Sequence, residues 1–241
     1  MKTKKIILIL ILPIVLIILK SNYLSKVNDL SSSIIILYNY FNYNHLIDIT
    51  SIVIYSLPLS IWVFIVAVTA KSYYDNYTFL VTRLGGKRIF SIKLLVNVFK
   101  KAFITQSTMY VFTMLLLLFF YSDNTISDLN TILISFIMNY TLIIIFVLIT
   151  LIFMIFYSFS ISLSLAYINQ ITFLVIGLFS KYMGKTSLLS KNPIMLSIVF
   201  SNTNTLKINL SDYLTAVIIN VLFIIFLIVL YMILLFKKEI Y

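Results

Sequence analysis

Side chains able to do acid–base, nucleophilic or metal chemistry are scarce in this sequence. It holds one histidine, His45, no cysteine and seven acidic residues among 241. Zinc and iron centres draw on clustered His, Cys and carboxylate ligands, and a Ser-His-Asp triad needs a histidine at its serine. The lack of cysteine excludes disulfides, thiolate metal sites, a catalytic thiol and a lipoprotein anchor. His45 lies near Tyr38, Tyr40, Phe41 and Tyr43. That cluster reads as an aromatic belt at a membrane interface; a ligand or acid–base role for His45 is the alternative. An intramembrane enzyme needs acidic, His or Ser/Asp groups gathered at one depth, and the sequence offers no such cluster. The chain is therefore not expected to be an enzyme by itself, nor to hold a cofactor or a metal.

The remaining polar candidates are uncharged. Asn139, Ser160, Ser164, Asn169, Gln170 and Asn220 lie within or near long apolar runs. In a bilayer such groups face protein or water. Each is either an interhelix hydrogen bond or part of a surface along which something is translocated. The pairs Ser158/Ser162 and Ser160/Ser164 have the small-xxx-small spacing that lets membrane helices approach closely.

The elements that position these residues follow from composition. The chain is 62% hydrophobic and 10% charged, with a mean hydropathy of +1.11. Soluble domains run about 45–50% apolar and about 25% charged, so this is an integral membrane protein. A span needs roughly 20 mostly apolar residues. Six are expected, at about 6–24, 49–70, 103–121, 132–157, 161–179 and 213–236. The first, Ile6 to Leu19 flanked by lysines, is short and resembles a signal peptide, but no small-residue cleavage motif follows; an uncleaved helix is the preferred reading. The charge-free stretch from Ile132 to Phe179 is too long for one span and should fold as a hairpin turning near Tyr157, Ser158, Phe159 and Ser160. The whole chain, 1–241, reads as one transmembrane domain.

Charge sets the expected orientation. With both termini inside, the inner segments hold twelve lysines and arginines and the outer ones six. Five of the seven acidic residues fall outside. Such a bias is what the positive-inside rule requires, and it accounts for the net charge of +11 without nucleic acid, because the cations sit beside helix ends and anionic headgroups. The segment 181–212 disagrees: its four lysines fall outside. Within it, Asn192-Pro193 should break the chain, and Ile194 to Phe200 is too short to span but could dip in and return.

The loop 71–102 is the most informative segment. Tyr74 to Leu84 reads as a short helix that Asp75 or Asn76 could cap, and Gly85-Gly86 as its stop. Lys87 to Lys101 is amphipathic, with Ile89, Ile92, Leu95, Val96 and Phe99 at helical spacing and Arg88, Lys93, Lys100 and Lys101 around them. One reading is an interfacial helix in the inner headgroup layer; the other is a docking loop for a cytoplasmic partner.

The stretch from Asp75 through Leu95 resembles the loop after the second helix of ABC-2-type transporter permeases, on Asp75, Asn76, Thr78, Arg88, Lys93, Leu94 and Leu95. Tyr77 stands where that family usually has Gly, and Gly85-Gly86 replaces a Pro-containing turn. The layout of six helices, a large first outer loop and a dipping segment before the last helix is similar too, most of all to small Firmicute permeases of bacteriocin self-protection and peptide export. The resemblance implies an all-α ABC-2 permease fold with both termini cytoplasmic, a coupling helix between helices 2 and 3, and a re-entrant segment before helix 6. It implies a separate cytoplasmic ATPase subunit holding ATP and Mg, contacted through Tyr74, Thr78, Phe79, Arg83, Lys87 and Arg88, and a second permease copy or paralogue. This chain lacks a Walker A pattern.

The function so implied is export of amphipathic peptides, bacteriocins or lipid-like compounds across the bacterial cytoplasmic membrane. The absence of an acidic residue deep in any span argues in the same direction, because proton- or sodium-coupled transport usually needs an intramembrane carboxylate. The alternative is an ATPase-independent immunity or scaffold protein that binds a bacteriocin or a membrane partner.

Overall fold

The computed structural model describes residues 2–25, 27, 29–41, 49–120, 129–183, 192–197, 199–200 and 210–237. These form helices α1 (Lys2–Leu19), α2 (Ser21–Leu24), α3 (Leu30–Tyr38), α4 (Ile49–Tyr74), α5 (Tyr77–Leu84), α6 (Lys87–Phe120), α7 (Leu129–Met154), α8 (Phe159–Tyr182), α9 (Pro193–Ser197) and α10 (Leu210–Lys237). Two two-residue strands, β1 (Tyr40–Phe41) and β2 (Val199–Phe200), pair in parallel.

Among the described residues, five helices are long and apolar enough to cross a bilayer: α4, α6, α7, α8 and α10. The chain is an all-α, multi-pass membrane protein. The first expected span corresponds to α1. Helix α1 begins with Lys2, Lys4 and Lys5, and its charge-free part, Ile6 to Leu19, rises only about 21 Å at 1.5 Å per residue, against a hydrocarbon core of about 30 Å.

Helix α7 is the hub. It packs against α3, α4, α6, α8, α9 and α10, and every residue from Thr141 to Leu148 is buried. A helix apolar all round is suited to such a position. The long spans around it differ in burial. In α4 61% of the most apolar window is buried inside the protein, in α10 only 17%.

The ends of the spans sort by contact. Lys87 Nζ donates to the Phe236 carbonyl at 3.3 Å. The Tyr74 hydroxyl donates to that of Tyr231 at 3.1 Å, and Lys71 Nζ lies 5.5 Å from the centre of the Phe159 ring. The C-terminal ends of α4 and α10 and the N-terminal ends of α6 and α8 therefore share one end of the bundle, which is its basic end.

Several boundaries differ from the sequence expectation. The amphipathic segment after Gly86 and the third span are one continuous helix, α6, with Lys87 at its start and no break before Phe103. Nothing in that run interrupts helical hydrogen bonding, since it lacks Gly and Pro. The hairpin turn falls at residues 155–158, where Tyr157 N–H still reaches the Phe153 carbonyl at 2.9 Å and Ser162 N–H already reaches that of Ser158 at 2.9 Å.

The largest correction concerns the first outer loop. It contains α3, a nine-residue helix buried along almost its whole length. Asp29 starts it, accepting from Ser32 N–H at 2.9 Å. Tyr38 belongs to this buried helix and not to an interfacial belt; it stacks on Tyr110 at 4.8 Å. Tyr43 and His45 lie outside the described residues.

The segment expected to dip contributes the short helix α9, Pro193–Ser197. Asn192 builds it: its Oδ1 accepts from Ile194 and Met195 N–H, and its Nδ2 donates to the Phe173 carbonyl of α8 at 2.6 Å. Pro193 follows at the first helical position, where its missing N–H costs nothing. Gly177 supplies the seat on α8, because a Cβ there would overlap the Met195 side chain. Gly177→Ala is expected to destabilise the protein by about 1–3 kcal/mol through overpacking. Thermal unfolding of the solubilised chain, followed by Trp62 fluorescence, measures this. Adding Met195→Ala should return part of the loss.

Candidate functional site

The short helix α5 hangs from the basic end between two spans. Helix α4 continues to Tyr74, and Asn76 Nδ2 donates back to the Ser72 carbonyl at 3.0 Å. Asn76 thus closes α4, and its side chain makes no cap bond to α5. The stop at the other end is as the sequence indicates. Gly85 is left-handed, with φ 79°, a conformation glycine adopts without steric cost. Its N–H and that of Gly86 meet the Thr82 and Val81 carbonyls at 3.3 and 2.9 Å, as in a glycine-terminated helix.

The inner side of α5 rests on aromatic rings. Phe90, fully buried at the start of α6, meets Tyr77 edge-on at 5.0 Å, Tyr74 at 6.2 Å and Tyr73 at 6.4 Å. Tyr74 and Tyr77 stack at 6.3 Å, and Asn97 of α6 donates to the Tyr73 hydroxyl. The Tyr77 hydroxyl is buried without a hydrogen-bond partner among the described residues, and burial pushes its pKa above the ordinary tyrosine value. The outer side of α5 presents Thr78, Phe79, Thr82 and Arg83, all exposed, with the Arg83 guanidinium 6.0 Å from the Phe79 ring centre, a cation–π arrangement.

The six expected partner contacts therefore divide. Thr78, Phe79, Arg83 and Arg88 are exposed. Lys87 is partly buried and ties α6 to α10. Tyr74 turns inward to Tyr231 and underlies the surface.

A second polar cluster sits where the end of α3 meets α6 and α7. Asn139 Nδ2 donates to Asn39 Oδ1 at 3.1 Å, to the Tyr110 hydroxyl at 2.8 Å and to the Ser135 carbonyl at 3.0 Å. Ser135 Oγ also donates to Asn39 Oδ1, and the Tyr38 hydroxyl pairs with Thr113 Oγ1. Beside it, the buried Lys20 sends Nζ to the Ile36 and Leu37 carbonyls at 2.7 and 3.0 Å. These are terminal carbonyls of α3, which lack helical partners, and a cation there suits the helix dipole.

A cavity of about 230 Å³ opens between α4, α7 and α8, lined by Ser60, Val63, Phe146, Ser164, Tyr167 and Gln170, among others. Gln170 bridges α8 to α4: its Nε2 donates to the Ser56 carbonyl at 3.0 Å, and its Oε1 accepts from Ser60 Oγ at 3.2 Å. Of the expected lining residues, Ser164 and Gln170 line this cavity. Ser160 is exposed on the same helix, and Asn169 Nδ2 donates to its own helix at the Leu165 carbonyl. Asn139 belongs to the α3 cluster, and Asn220 joins α10 to α7 through Thr141 at 3.2 Å. Two of the six thus share the cavity, and the other four lie apart from it. Of the serine pairs, Ser162 is buried and bonded to the Ser158 carbonyl at 2.8 Å.

Sequence reasoning missed Lys20, Asn39, Ser60 and Tyr77. For Lys20 the signal was present, as a lone cation between two apolar runs. For Ser60 only the fold supplies the pairing with Gln170.

Comparison of the chain with models of known protein families, with curated proteins and with solved structures gives no match.

Lys20→Met keeps the stem of the side chain and removes its donors, leaving the α3 carbonyls short of partners. A loss of about 1.5–3 kcal/mol is expected, the range for hydrogen bonds to a charged group. Faster amide exchange in α3 than in α7 is the accompanying signature. Unchanged exchange in α3 contradicts the capping role.

Proposed function

We propose that this chain is the membrane-spanning subunit of an ABC exporter, moving amphipathic peptides, bacteriocins or lipid-like compounds with energy from a separate ATPase. The observation that carries the reading is α5. It is a two-turn helix projecting from the basic end, stopped by a left-handed glycine, with Thr78, Phe79, Thr82 and Arg83 turned outward. Its inner side is bedded on Tyr74, Tyr77 and Phe90, and Tyr74 reaches Tyr231 on the last span. A partner that displaced α5 would press on α4, α6 and α10 together.

The cleft between α4 and α8 fits the same reading. Ser60, Ser164, Tyr167 and Gln170 are polar groups on an otherwise apolar wall, and an amphipathic cargo needs both. A second copy, or a paralogue, would complete the path on the side that this chain leaves open. ATP and Mg belong to the partner subunit.

Purification of the full chain from its native membrane, with mass spectrometry of what accompanies it, tests the reading. An ATPase at about one copy per chain is expected. Joint replacement of Thr78, Phe79, Arg83 and Arg88 by alanine should lower its recovery by about tenfold or more, a loss of about 1.4 kcal/mol or greater in affinity. Undiminished recovery with the quadruple variant overturns the docking role of α5.

A further inference from the structure

The outward stripe of α6 changes character halfway along the helix. In its second half it carries Ile104, Val111 and Leu115, all exposed, within the charge-free segment 102–120. That segment measures about 28 Å at 1.5 Å per residue, enough to cross the hydrocarbon core of about 30 Å with little to spare. The same stripe continues toward the basic end through Ile89 and Val96, also exposed. Here, however, it is interleaved with Lys93 and Lys100, both exposed. Positions 89, 93, 96, 100, 104, 111 and 115 recur at helical spacing, so they share one face. Arg88 lies on another side of the helix. The buried face, Phe90, Leu94 and Val98, packs into the bundle and leaves this stripe outside.

We infer that Lys93 and Lys100 form a binding surface for anionic phospholipid headgroups in the leaflet at the basic end. The inference goes beyond the transport reading and stands without it. Charge complementarity selects the occupant: between Asp75 and Asp123 the chain has six lysines and arginines and no acidic residue. Continuity with the lipid-facing half of the same stripe places the surface at a membrane. The two ammonium groups stem from positions two turns apart, about 10 Å along the axis. On a convex helix they do not converge on one free phosphate. A lipid layer instead offers each lysine its own phosphate, while acyl chains cover Ile104, Val111 and Leu115 and the lysine stems lie along Ile89 and Val96.

The test uses the full chain in bilayers of mixed phosphatidylglycerol and phosphatidylcholine, with spin-labelled versions of each lipid and the motionally restricted fraction as readout. At low salt the labelled phosphatidylglycerol should be restricted about two- to fivefold more than phosphatidylcholine, in line with the attraction of a lysine near an anionic surface. High salt should abolish the difference. The variant K93Q/K100Q should bring the two lipids level, and K93R/K100R should keep the preference. Equal restriction of both lipids by the native chain at low salt overturns the proposal. So does a preference that K93Q/K100Q leaves unchanged. A preference of the native chain that survives high salt also overturns the proposal, and K93R/K100R serves as the folding control for K93Q/K100Q.

Discussion

A helix that starts or stops inside an apolar bundle leaves backbone groups with no water to satisfy them, and among the described residues α3 and α9 each have such an end. Helix α3 ends against α6 and α7, and Lys20 meets its terminal carbonyls. Helix α9 begins against α8, and Asn192 meets its first amides. Each cap is itself held in place by packing. Asn39, just past the end of α3, is tied to α7 through Ser135 and Asn139. Asn192 is tied to α8 through the Phe173 carbonyl. Beyond these two caps, β1 and β2 meet in their short ladder. The two inserted segments are thus joined to each other as well as to the spans, and the arrangement of the end away from the basic face depends on their being capped.

The opposite end is built on different physics. There the contacts are rings on rings around Phe90, joined by the Tyr74–Tyr231 and Asn97–Tyr73 hydrogen bonds. Aromatic packing of this kind tolerates small rotations, while the hydrogen-bonded caps fix their partners closely. The two ends are joined by α7, which is buried throughout from Thr141 to Leu148. In the transport reading, a push on α5 enters at the aromatic end.

Much of this was legible in the sequence. The apolar runs gave α4, α7, α8 and α10 to within a few residues, and the hairpin turn near Tyr157 follows from a charge-free stretch too long for one crossing. Gly85 announced the end of α5, because two adjacent glycines have few other uses in a chain with four. Helix α3 was not legible: nine residues with three serines, LSSSIIILY, are too short and too mixed for a span, and only the tertiary contacts of Asp29, Tyr38 and Asn39 give the helix its place. The candidate lining residues lie on α7, α8 and α10, and their grouping depends on which faces of α4, α7, α8 and α10 meet. Single-helix patterns carry little of that information where a helix is apolar on every side, as α7 is from Leu142 to Ile149.

The unequal burial of the spans bears on how this sequence can drift over generations. Residues of α7 from Thr141 to Leu148 each press on a neighbour, so a change of shape there must be answered by a change elsewhere. Helix α10 turns Leu214, Ile218, Leu222, Ile225 and Val229 outward, where one apolar residue serves as well as another. Relatives of this chain should therefore retain side-chain identity in α7 and only apolarity on the outer face of α10. A comparison weighted by residue identity would then rest on a small part of the molecule, and relatives that share the architecture could diverge beyond its reach.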